Sequence, residues 1–83
     1  MFRLIVDKKF KADLDKLDSS LRDVVLKKVL DLETFPELGK RLVGVDLWSL
    51  RIGKYRVLYQ INHATKEILV LVLDHRKRIY KRL

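Results

Sequence analysis

Two hydrophobic periods succeed one another along the chain. Residues 2–6, FRLIV, are an apolar run closed by Asp7 and read as a strand. From Asp7 to Leu17 the period lengthens. Phe10, Leu14 and Leu17 recur at spacings of four and three with charges between them, one stripe of an amphipathic helix that Asp7 can cap. A second helix is predicted from Ser19 and Ser20, with a serine hydroxyl as its cap and Asp23 as a capping-box acid. Leu21, Val25, Val29 and Leu32 share one face of it, Val24 and Phe35 lie beside that face, and Pro36 ends it. The link Asp18-Ser19-Ser20 is so short that the helices must form an antiparallel hairpin.

Residues 36–45, PELGKRLVGV, read as a loop because of Pro36, Gly39 and Gly44. Beyond them the period is two. Trp48, Leu50 and Ile52, then Tyr55, Val57, Tyr59 and Ile61, are predicted to face the helices. Ser49, Arg51, Lys54, Arg56 and Leu58 would lie on the opposite face, adjoining the terminal segment HRKRIYKRL. Asn62 to Lys66 is a hairpin loop, and Ile68 to Leu73 is apolar throughout, as in a strand covered on both faces. The order β-α-α-β-β-β predicts an α+β fold in one domain spanning 1–83. It would be an antiparallel sheet with an N-terminal helix hairpin packed on one face. If the last strand is central, the first strand is its second neighbour.

Charge changes this picture more than composition does. Residues 1–40 hold nine Lys/Arg against eight Asp/Glu, whereas residues 41–83 hold ten against three. A basic excess gathered in one half presents a field to a polyanion, since neutralising phosphates releases counterions. The chain has no cysteine, which excludes disulfides and thiol nucleophiles and fits a cytoplasmic location. No run approaches the roughly 18–20 apolar residues that span a bilayer, and the first residues do not look like a signal peptide, so a soluble protein is expected. The two histidines, His63 and His75, lack a third ligand at workable spacing; neither a metal nor another cofactor is expected.

The stretch Leu47 to Tyr80 resembles the RelE/ParE toxin superfamily. Its marks are a strand ending in a basic residue, a G-x-Y-R turn into a VxYxI strand, a variable hairpin, an apolar strand, and then H-R followed by I-Y. The resemblance implies a toxin of a type II toxin–antitoxin system, monomeric when free and neutralised by an acidic, RelB-like antitoxin. RelE-like members act at the ribosome and cut mRNA without a metal: the 2′-OH attacks its neighbouring phosphate. ParE-like members share the fold and inhibit DNA gyrase, and a toxin fold that has lost its activity would survive as a binding module.

Cleavage by a 2′-OH needs a base, an acid for the departing 5′-oxygen, and cations around the phosphorane. By the resemblance, Arg51, Arg56, Arg76 and Tyr80 fall at positions of the toxin site, and His75 adds an imidazole beside them. Arginines stay protonated, so Arg51, Arg56 and Arg76 are expected to clamp phosphate. His75 is preferred over Tyr80 as acid/base, since imidazole titrates nearest neutrality. Arg56 could instead pair with Asp46 or Asp74. Lys54, Arg78, Lys81 and Arg82 are expected to add field for RNA. Leu47 and Leu58, with Arg51 and Arg56, are expected to receive the antitoxin. Ser49 departs from the pattern, because the best-known member of the family carries a lysine there.

Overall fold

The computed structural model describes residues 1–82. Leu83, the last residue of the basic terminal segment, lies outside them. Strand β1 (Arg3–Val6) leads into helices α1 (Lys8–Asp15) and α2 (Ser19–Leu30) and a 3-10 turn at Asp31–Glu33. Strands β2 (Lys40–Arg41), β3 (Trp48–Ile52), β4 (Tyr55–Asn62) and β5 (Glu67–His75) follow, and a second 3-10 turn, Ile79–Arg82, closes the described chain.

The apolar stripes dock as their spacing predicts. Phe10 and Leu14 of α1, Val25 and Val29 of α2, and Leu32 are buried against Leu50, Ile52, Val57, Tyr59, Ile68, Val70 and Leu73 of the sheet. Trp48 stacks on Tyr59 with centroids 6.3 Å apart, which places both rings in this core. Asp7 caps α1 by accepting from the Lys9 N–H at 2.8 Å. The cap of α2 is Asp18 and not a serine hydroxyl: its carboxylate accepts from the Leu21 N–H and the Ser20 hydroxyl, both at 2.9 Å. A carboxylate at that position also meets the positive end of the helix dipole.

The sheet runs in the order β1-β5-β4-β3-β2, so β5 is interior and β1 is its second neighbour, as expected. Two features differ from expectation. The β1–β5 pair is parallel, making the sheet mixed. The loop contains β2, two residues paired antiparallel with β3 so that Lys40 faces Ser49 and Arg41 faces Trp48. Tyr59 fixes the approach to β2. Its hydroxyl donates to the Pro36 carbonyl at 2.8 Å and accepts from the Gly39 N–H at 2.9 Å. A Cβ on Gly39 would lie 2.8 Å from both the Ser49 carbonyl oxygen and the Tyr59 hydroxyl, so only glycine fits.

A bulge breaks the alternation of β5. Leu58 pairs with Val72 and Tyr59 with Val70, which leaves Leu71 unmatched. The extra residue shifts the phase, so Ile68, Val70 and Leu73 all join the helix-side core despite an odd spacing.

Candidate functional site

The face of the sheet away from the helices is partly covered. Leu58 and Ile79 are fully buried yet stand outside the helix-side core, and the terminal turn reaches this second face through Tyr80 at Ser49, the cross-strand partner of Leu58. That corrects the expectation that Leu58 offers an exposed anchor to an antitoxin. Leu47, just before β3, remains half-buried.

Beside this patch the strands bring together Lys40, Ser49, Arg51 and Arg56. Ser49 is only 2% exposed although its side chain is polar. Its hydroxyl accepts from Arg56 Nη1 at 3.2 Å and lies 3.4 Å from the hydroxyl of Tyr80, a long contact that leaves the phenol free to turn. Tyr80 is 45% exposed. Ser49 thus joins an arginine on β4 to a phenol on the terminal turn. Arg51 and Arg56 are direct cross-strand partners. Like charges at that position repel, and neither guanidinium has an acidic partner among the described residues. Asp74 faces Arg56 from β5, but its carboxylate is taken by Arg78 at 3.5 Å and Arg82 at 3.3 Å.

The structure separates His75 from this group. His75 pairs with Tyr55 across the β4–β5 ladder while Asp74 pairs with Arg56, and neighbouring residues of a strand point to opposite faces. The imidazole therefore lies on the helix side, edge-on to the Tyr55 ring at 5.9 Å, and its Nδ1 accepts from the Lys77 N–H at 3.2 Å. The reason is the bulge, which reverses the phase of β5 after Leu71.

The remaining candidates fall into two groups. Lys54, Arg76 and Lys81 are exposed, and the Arg76 N–H donates to the Lys54 carbonyl at 2.8 Å, which holds Arg76 beside the β3–β4 turn. Arg78 is exposed but paired with Asp74. Arg82, expected to add field for RNA, makes ion pairs within the fold. Its Nη1 donates to Asp13 Oδ2 at 3.0 Å and to the Leu73 carbonyl at 3.4 Å, while Asp13 Oδ2 also accepts from the Leu73 N–H at 3.1 Å. Together Asp13 and Arg82 satisfy the backbone of β5 beyond the point where β1 ends. His63 meets the Phe2 ring in a T-shaped arrangement at 5.8 Å. Lys40 is the cation that sequence reasoning missed. A two-residue strand inside a Pro- and Gly-containing segment leaves no periodic signal.

Comparison with known proteins places the chain in a family. The family model described as ParE toxin of type II toxin-antitoxin system, parDE, matches residues 4–80. No curated protein matches the chain significantly. A chain of the toxin–antitoxin complex RelBE2 from Mycobacterium tuberculosis is 29% identical with a TM-score of 0.83, covering 90% of this chain and 98% of that one. The archaeal RelE–RelB complex from Pyrococcus horikoshii gives 28% identity and a TM-score of 0.78, covering 93% and 97%. The isolated RelE toxin of E. coli, at 24% identity and a TM-score of 0.79, shares the fold over 99% of this chain and 94% of that one.

Proposed function

Because the chain belongs to the ParE toxin family of type II toxin–antitoxin systems, within the RelE/ParE superfamily, we propose that it is a toxin that cleaves mRNA on the ribosome. The observation that carries this reading is the Arg51–Arg56 pair. Two arginines without acidic partners among the described residues, set directly opposite each other across the β3–β4 ladder, cost free energy in the free protein. An anion between them removes that cost, and bidentate guanidinium–phosphate geometry suits both.

The chemistry follows from what surrounds them. The substrate 2′-oxygen loses its proton to solvent water and forms a bond to phosphorus; the bond to the 5′-oxygen breaks and that oxygen takes a proton from the Tyr80 hydroxyl, which water then reprotonates. The products are a 2′,3′-cyclic phosphate and a 5′-hydroxyl. Arg51 and Arg56 offset the charge that builds on the phosphorane. With His75 on the far face, Tyr80 is the proton carrier nearest Arg56, and Ser49 holds the two side chains in one constellation. Arg76, Lys54 and Lys81 add attraction for the flanking strand.

The partner that restrains it is an acidic, RelB-like antitoxin. Its Asp/Glu would neutralise Arg51 and Arg56, and Leu47 is the apolar residue left at the rim for it to use.

A second reading is inhibition of DNA gyrase, favoured by the family model itself, which is that of ParE toxins. One experiment separates the two: the protein is induced in cells, mRNA 5′ ends are mapped, and plasmid supercoiling is followed in parallel. Cuts within translated messages are expected. Intact messages with altered supercoiling would replace the first reading by the second.

A further inference from the structure

We propose that Lys40, on β2, is a substrate-contacting residue of this site, its ammonium group binding a non-bridging oxygen of the scissile phosphate. The inference rests on the RNA-cleavage reading above and adds to it a residue that composition and periodicity did not reveal.

Register supplies the first argument. Lys40 is the direct antiparallel partner of Ser49. Side chains of such partners share a face, with Cβ atoms about 4.5–5.5 Å apart. Lys40 therefore rises on the face that carries Ser49, Arg51, Arg56 and Tyr80, and a phosphate held between Arg56 and Tyr80 lies alongside its stem. Ser49 itself brings no charge; Arg56 lies against its hydroxyl from β4, and Lys40 is its cross-strand partner on β2.

Construction supplies the second. A two-residue strand has little stability of its own, yet β2 is pinned from both ends. Tyr59 holds Pro36 and Gly39 before it, and the Leu42 N–H bonds the Leu47 carbonyl at 2.9 Å after it. Gly39 leaves no room for a side chain between β2 and β3. Lys40 is thus delivered at a fixed place, exposed, and no acid among the described residues pairs with it.

An exposed lysine on a short edge strand also has a plain use, which is to discourage pairing with other chains. The test separates the two uses. Binding of a single-stranded RNA whose riboses are all 2′-O-methylated, and which cannot be cut, is measured against salt for the wild type, Lys40→Ala, Lys40→Arg and Lys28→Ala. Lys28 is exposed on α2, so Lys28→Ala removes the same charge from the helix side. Losing one phosphate contact lowers the slope of log affinity against log salt by about 0.7. That drop is expected for Lys40→Ala, and neither for Lys40→Arg nor for Lys28→Ala. On programmed ribosomes Lys40→Ala should slow cleavage about 10²-fold, the cost of losing one preorganised donor to a developing oxyanion. Equal slopes for Lys40→Ala and Lys28→Ala overturn the proposal, whatever the cleavage rates. A slope change specific to Lys40→Ala, in a protein whose wild type cuts no message, refutes the cleavage reading and leaves the phosphate contact standing.

Discussion

The rings of Tyr55 and His75 meet edge to face, 5.9 Å apart, as cross-strand partners on the helix side of the sheet. One residue away on each strand, Arg56 and Asp74 point the other way. The imidazole is therefore on the wrong face to reach a phosphate bound by Arg56. His75→Gln should leave cleavage on programmed ribosomes near the wild-type rate. Tyr80→Phe should lose about 10²–10⁴, the usual range for a proton-transfer residue. Equal losses in both variants would show that the imidazole reaches the substrate around the strand end.

Tyr59 joins the core to the segment that delivers Lys40. Tyr59→Phe leaves the Gly39 N–H and the Pro36 carbonyl without their partner, which should cost about 1–3 kcal/mol in urea unfolding. The same variant should weaken RNA binding although no cation is removed. Burial pushes the Tyr59 phenol above its ordinary value of 10.0, and nearby Glu37 adds to that while the Gly39 N–H opposes it. A raised folded value means that this stability is complete below pH 10 and is lost as pH climbs from there through the folded value. Tyr59→Phe should flatten that part of the alkaline unfolding curve; an unchanged curve would remove Tyr59 as its source.

Asp13 and Arg82 hold the terminal turn against β5. Asp13→Ala strands the Leu73 N–H and frees Arg82, at a cost of about 1–3 kcal/mol. Hydrogen exchange should speed up at Leu73 and through Ile79–Arg82. Exchange rising only on α1 would mean that the pair stabilises the helix and not the turn.

At the other end of the pH scale, the Leu21 N–H and then the Ser20 hydroxyl hold the Asp18 carboxyl below its ordinary value of 3.8. A lowered folded value contributes stability above pH 3.8 that is lost as pH falls through it. Asp18→Ala should lower Tm at neutral pH and lose less than the wild type on acidification. Identical acid limbs for the two proteins would rule out Asp18 as a contributor.

The sequence by itself determined the elements other than β2 and the terminal turn, and the helix-side core. The stripe of Phe10, Leu14 and Leu17 and the alternation from Trp48 to Ile61 report burial directly, because one apolar face per element is what folding needs. It also marked Arg51, Arg56 and Tyr80 as candidates, through an ordered motif. Tertiary structure alone decided the direction of β1, since a strand's own residues read alike in parallel and antiparallel pairs. It decided the burial of Leu58, which depends on what covers that face of the sheet. It decided the split between His75 and Arg56, because a single unmatched residue, Leu71, reverses the face of everything after it and leaves no mark in an unbroken apolar run. And it decided the place of Lys40, whose neighbour across the ladder is nine residues away and is fixed by a tyrosine hydroxyl, not by any local period.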